Sequence, residues 1–112
     1  MTKITSIMIY GISFYLFVIL IMFIFQRSLL YQPSKERLDP FLYSNTGLEK
    51  INLETSDGLV LNSLFRKPST NKKDTIVVFH GNAGHIGHRV DKFRSFLEEG
   101  YGLLLVEYRG YG

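Results

Sequence analysis

The 112-residue chain contains no cysteine and no tryptophan, and only three prolines. Without cysteine there can be no disulfide, no zinc–thiolate centre and no thiol nucleophile. The compartment stays open, because a cysteine-free chain tolerates oxidising and reducing surroundings alike. Charge is scarce in one place only. Residues 1–25 carry a single charged side chain, Lys3, while the remaining 87 carry 12 basic and 10 acidic ones. That near balance removes the argument for nucleic acid that the net +3 would otherwise invite, and no nucleic-acid partner is expected. The length excludes a complete barrel enzyme of about 250 residues.

What is present is unevenly distributed. Ile4 to Phe25 is an uncharged, mostly apolar run of 22 residues. As a helix it spans roughly 33 Å, against a hydrocarbon core of about 30 Å. Residues 1–26 are therefore read as a single-pass transmembrane anchor, with the lipid bilayer as its partner. Gln26 and Arg27 mark the exit, and Tyr31 suits the headgroup level. A cleaved signal peptide would have an apolar core of about 7–15 residues followed by small residues. Gln26 to Tyr31 offers no such site. Arg27, Lys35 and Arg37 outnumber Lys3, which points to a cytoplasmic position for the C-terminal part. An anchor at the extreme N-terminus points the other way, so the side is left undetermined.

Residues 27–47 read as a juxtamembrane connector broken by Pro33, Pro40, Asn45 and Gly47. Residues 48–112 read as an α/β unit. Leu48–Thr55 alternates, with Ile51, Leu53 and Thr55 on one face. Asp57-Gly58 is a turn signal, and Leu59–Phe65 alternates again, so a hairpin is expected. Arg66–Asp74 reads as a solvated loop. Thr75–Phe79 is a continuous apolar run, the mark of a strand buried on both faces. After a glycine-rich turn at 81–87, a helix is expected over His88–Glu99. Its apolar face would be Val90, Phe93, Phe96 and Leu97, and Gly100 would cap it. Gly102–Tyr108 is a second apolar strand. The two strands and the helix between them form a βαβ unit with parallel pairing, leaving the edge of Leu103–Tyr108 open.

His80-Gly81-Asn82-Ala83-Gly84 lies where a buried strand gives way to a helix. Backbone N–H groups there favour negative charge, and glycine lets a ligand approach the backbone closely. The developing oxyanion of acyl transfer suits such a place. From Thr75 to Gly112, with strand, HGNAG, helix, strand and YRGYG in order, the chain resembles the α/β-hydrolase superfamily. It is most similar to a membrane-anchored, serine-hydrolase-like branch. The resemblance implies one oxyanion-hole donor, the backbone N–H of Asn82, with His80 and Gly81 shaping the turn. It also implies that Tyr108–Gly112 borders the site without supplying chemistry.

The resemblance equally implies a nucleophile in a Gly-x-Ser-x-Gly elbow, followed by an acid and a histidine. The only Gly-x-Ser is Gly11-Ile12-Ser13, inside the apolar run, with Tyr15 where glycine is required. Nucleophile, acid and base are therefore absent. The expected fold is an N-terminal transmembrane helix followed by a truncated hydrolase sheet, a hairpin plus one βαβ unit. The chain is expected to be inactive alone, with a separately encoded C-terminal half as a candidate partner. Full-length relatives would be expected to hydrolyse ester, thioester or amide bonds.

Two other chemistries compete for the same residues. Gly81, Gly84 and Gly87, with Glu107 twenty residues beyond the last, imitate a dinucleotide fingerprint. That would make the chain a membrane-tethered nucleotide-binding or interaction module, although Ala83 stands where its second glycine is needed. His80, His85 and His88 invite a metal site, but no carboxylate completes a persuasive set and no cysteine is available. Neither cofactor nor metal is expected.

Overall fold

The computed structural model describes residues 2–112. They form two compact units, one ending at Gln32 and the other Pro33–Gly112. The first is a single α-helix, α1, Lys3–Leu30, capped by the Thr2 hydroxyl, which accepts from the Thr5 N–H. It runs on past Gln26 through Arg27 to Leu30, and none of its residues is buried. By length and composition α1 can cross a membrane, a description that a signal sequence also meets.

In the second unit the sheet has four strands: β1 Glu49–Glu54, β2 Val60–Arg66, β3 Thr75–Phe79 and β4 Gly102–Val106. Their spatial order is β1-β2-β4-β3. The hairpin pairs Glu49 with Phe65 through Glu54 with Val60. Its turn closes by a Thr55 N–H to Leu59 carbonyl bond of 2.8 Å, with Gly58 at φ 81°. β4 runs antiparallel to β2, with Leu64 opposite Leu105. It runs parallel to β3, with Thr75 opposite Gly102 and Phe79 opposite Val106. The expected open edge at Leu103–Tyr108 is therefore wrong, because β4 lies inside the sheet. Among the described strands, the outer edges are those of β1 and β3.

That placement also corrects the reading of Thr75–Phe79 as buried on both faces. Ile76 and Val78 are half-buried, while Val77 and Phe79 are 50% and 66% exposed. The cause is layering. Leu64, Leu103 and Leu105 share the face covered by Ile86, Val90 and Leu97, and all six are buried. Phe65, Val77, Phe79, Leu104 and Val106 follow from the strand registers as the opposite face, and none of them is buried. A side-chain period of two puts each run's apolar residues on both faces, but this unit packs a layer against one.

The crossover is not one helix. Ile86–Phe93 is a 3₁₀ helix and Arg94–Glu98 a short α-helix, α2. Val90 and Phe93 are three apart, the spacing that stacks side chains in a 3₁₀ turn, and both pack on the core. Phe96, expected on the apolar face, is instead 41% exposed beside Phe93 and Tyr101. Gly100 does end α2. At φ 89° it donates to Leu97, and Tyr101 donates to Phe96, the paired bonds of a Schellman cap.

The segment before the sheet is not an isolated linker. Asp39 caps the 3₁₀ turn Pro40–Tyr43 by accepting from the Phe41 N–H at 2.9 Å. Leu38 and Tyr43 pack against the core that Leu48 joins. Arg66 donates to the Thr46 carbonyl at 2.8 Å, holding this segment to β2. Gly102 is required by close approach, since a Cβ there would lie 2.9 Å from the Pro68 backbone nitrogen.

Leu64, fully buried at the centre of the one packed face, should be the costliest truncation in the sheet. Leu64→Ala is expected to destabilise by about 2–5 kcal/mol. Val77→Ala, on the uncovered face, should cost under about 1 kcal/mol. Denaturant unfolding followed by circular dichroism measures both.

Candidate functional site

The parallel register that pairs Phe79 with Val106 carries the next residues, His80 and Glu107, off adjacent strand ends. Both are buried, at 7% and 2% exposure. His80 Nε2 lies 2.6 Å from Glu107 Oε1. Glu107 Oε1 also accepts from the Tyr108 N–H, and Oε2 from the Ile86 N–H, each at 3.1 Å. The Glu107 N–H donates to Ser63 Oγ at 3.2 Å. One carboxylate thus joins the end of β3, the start of the crossover and the turn after β4. A buried carboxyl without such partners would be strongly destabilising.

The HGN turn is held by its carbonyls. Tyr108 OH donates to the His80 carbonyl at 2.8 Å, and Tyr111 OH donates to the Asn82 carbonyl at 3.1 Å. Between them, His80 Nδ1 lies 2.8 Å from the Gly81 carbonyl oxygen. The His80 ring is flanked by Tyr108 and Tyr111, at centroid distances of 4.3 and 5.1 Å. His80-Gly81-Asn82 thus follows the carboxyl end of β3, beside the carboxyl end of the parallel β4, where open α/β sheets bind ligands. Gly81 and Asn82 are exposed. A shallow groove beside them is lined by Val78, Phe79, His80, Gly81, Arg89, Lys92 and Phe93. The left-handed residue of the turn is Gly84, at φ 76°, while a Cβ on Gly81 would meet open space. Gly81 is thus open to a ligand's approach.

This arrangement can present backbone donors to a developing negative charge. It cannot use His80 as a general base, because both ring nitrogens already face acceptors. Nor does it offer Glu107 to a ribose, as the dinucleotide reading requires, since both carboxylate oxygens are occupied inside the protein. Sequence reasoning treated Glu107 only as that fingerprint's acid and missed its pairing with His80. The signal was there in the two strand ends, once their parallel register is drawn.

The three histidines do not converge. His80 faces Glu107, whereas His85 and His88 stack with centroids 3.9 Å apart. Glu36 supplies a carboxylate that sequence spacing could not show, within 4.8 Å of ligand atoms on both rings. The donor set is nonetheless compromised. The Gly87 N–H donates to His85 Nδ1 at 3.0 Å, which leaves the neutral ring's proton on Nε2 and no lone pair for a metal. Burial first, and then the charge of His88, pushes the His85 pKa down, against the raising effect of Glu107 and Glu36.

No protein-family profile matches the chain. Protein bem46 of Schizosaccharomyces pombe is 32% identical over 96 residues, covering 79% of this chain and 32% of its own length. The structure of the Pyrococcus furiosus esterase Pf2001 superposes with a TM-score of 0.55 at 19% identity, covering 72% of this chain and 32% of that one. The chain is related to the α/β-hydrolases. It spans about a third of the length of either relative. Its sheet is accordingly a partial α/β-hydrolase sheet, in the order β1-β2-β4-β3.

The turn after β4 is anchored a second time. One Arg109 Nη2 donates to both Asp57 oxygens, at 2.8 and 2.6 Å, tying this turn to the hairpin loop. The Thr55 hydroxyl, donating at 2.6 Å, and then Arg109 hold the Asp57 carboxyl down at about 2. A depressed carboxyl pKa stabilises the fold above its ordinary range, and that contribution is lost as pH falls toward the folded value. Carbon-detected NMR titration of Asp57 should give a midpoint near 2. Thr55→Val should move it back toward the ordinary 3.8, with Arg109→Gln moving it in the same direction by less.

Proposed function

We propose that these residues form the membrane-anchored N-terminal part of an α/β-hydrolase, supplying the Asn82 N–H as one oxyanion-hole donor. The observation that carries the reading is the HGN turn at the ends of β3 and β4, with three successive carbonyls each facing a side-chain donor. Hydrolysis of an ester, thioester or amide then begins with attack by a serine that residues 1–112 do not contain in the required elbow, its proton passing to a base on the same missing segment. The tetrahedral oxyanion formed on the substrate carbonyl is stabilised at the turn and collapses as the leaving group takes that proton; water then releases the acyl group from the serine by the same route. On this reading the 112 residues have no hydrolase activity by themselves.

Two features support a partner segment that completes the sheet, whether continuous with this chain or encoded separately. The outer edge of β3 pairs with no other described strand, and the face bearing Phe65, Val77 and Phe79 carries no packed layer. The anchor reading is supported by the continuity of α1 through Arg27 to Leu30, across the region where a cleavage site would have to lie.

The purified 112-residue chain should neither turn over p-nitrophenyl acetate above buffer nor react with a fluorophosphonate probe. Stoichiometric labelling of any serine would overturn the proposal. Co-expression with a segment bearing the remaining strands and a Gly-x-Ser-x-Gly elbow should restore both signals.

A separate test addresses the anchor. After alkaline carbonate extraction, the chain should stay in the membrane pellet with an intact mass that includes α1. A soluble product lacking residues 1–25 would show α1 to be a signal sequence.

A further inference from the structure

The buried Glu107 is not needed for strand pairing, and a buried carboxylate is a costly way to fill space. Its connections lead to one place. The carboxylate meets His80 Nε2, the far side of the same ring meets the Gly81 carbonyl, and that carbonyl shares a peptide plane with the Asn82 N–H. We propose that Glu107 is a positioning residue for the oxyanion turn, acting through the His80 ring to fix the direction of the Asn82 N–H. The inference rests on the hydrolase reading for its purpose, but its geometry stands without it.

The chain of constraints is rigid at each link. A trans peptide is planar, so its carbonyl and the following N–H point in opposite directions. Holding the Gly81 oxygen therefore aims the Asn82 hydrogen. A carbonyl oxygen only accepts, so His80 Nδ1 must carry a proton to hold it. Nε2 lies 2.6 Å from Oε1, so the carboxyl fixes the orientation of the ring and with it the direction from which Nδ1 faces Gly81. Without the carboxyl, nothing at Nε2 would hold the ring in that orientation, and the Gly81 oxygen would lose its fixed partner.

The neighbours reinforce the same aim. Ile86 and Tyr108 N–H groups fix the carboxylate plane, and Tyr108 and Tyr111 hydroxyls hold the carbonyls on either side of Gly81. Gly112 is part of this packing. At φ 75° it passes so close that a Cβ would lie 2.8 Å from Glu107 Oε2. The turn after β4 thus does more than border the site.

The test uses the full chain in detergent micelles, labelled with nitrogen-15. Long-range proton–nitrogen spectra of wild type should show His80 Nδ1 protonated. A ring protonated on Nε2 alone would overturn the proposal without any variant. Relaxation should give Asn82 an order parameter near about 0.85, as for rigid backbone, falling below about 0.6 in Glu107→Ala. Leu103 and Leu105, at the sheet centre, should keep their wild-type values. Glu107→Gln keeps the shape, but its amide nitrogen must face either the Tyr108 or the Ile86 N–H, so it should leave Asn82 between the wild-type and Glu107→Ala values. An unchanged Asn82 in a folded Glu107→Ala, or loosening equally spread over the sheet, would overturn the proposal. If Glu107→Ala does not fold, the wild-type ring spectrum and Glu107→Gln decide. None of these readouts involves hydrolysis, so failure of the hydrolase reading would be seen separately, in the labelling experiment.

Discussion

A carboxyl group at 2% exposure has to be surrounded by donors, and the donors Glu107 finds come from three different parts of the chain. That requirement organises the carboxyl end of the sheet. It sets the end of β3 against the end of β4, draws in the first turn of the crossover, and fixes where the chain goes after Val106. The apolar core holds the sheet together but would tolerate several arrangements of the loops above it. The interior itself could be repacked with other apolar side chains of similar volume. The loop arrangement is specified instead by hydrogen bonds, which are directional and leave a costly unpaired group if any member moves.

Among the described residues the outer edges of β1 and β3 are unpaired, and none of Phe65, Val77, Phe79, Leu104 and Val106 on one face of the sheet is buried. Edge strands are normally protected by charge, proline, a bulge or a covering element. Thr75-Ile76-Val77-Val78-Phe79 has none of these within the strand. Such a strand is suited to the inside of a larger sheet, where both edges and both faces are covered. The relationship to proteins more than twice as long is consistent with that observation. In an open parallel sheet, residues at the carboxyl ends of neighbouring strands build one site together. A further strand beside β3 would place its own carboxyl end next to His80, Gly81 and Asn82.

The hairpin, the cap at Gly100 and the two apolar strands were legible because local chemistry determines them. Asp57-Gly58 needs only a turn, and Gly100 only a left-handed conformation. Strand order and burial were not legible to the same degree. An apolar run such as Thr75–Phe79 announces that it fits a buried strand, yet whether both faces are covered depends on what else is packed there. The helix expected over His88–Glu99 failed for a related reason. Val90 and Phe93 are three apart and fit the 3₁₀ turns, whereas Phe93 and Leu97 are four apart and fit the α-helix that begins at Arg94. That change of period puts Leu97 rather than Phe96 on the core.

The site was half legible. HGNAG and YRGYG are recognisable as words, and the structure sets them at the ends of neighbouring strands, with Tyr108 and Tyr111 bonded to the first word's carbonyls. The dependence between the two words was not visible, because it runs through a pair 27 residues apart in sequence. Counting histidines suggested His80, His85 and His88 as a group, and counting glycines suggested Glu107 as a ribose acid. Both counts failed on the same fact, that His80 and Glu107 are each other's partner. Here the register that pairs Phe79 with Val106 carries His80 and Glu107 off adjacent strand ends, close enough for their side chains to meet. The other side of the imidazole faces the Gly81 carbonyl, so the two words are joined through one ring.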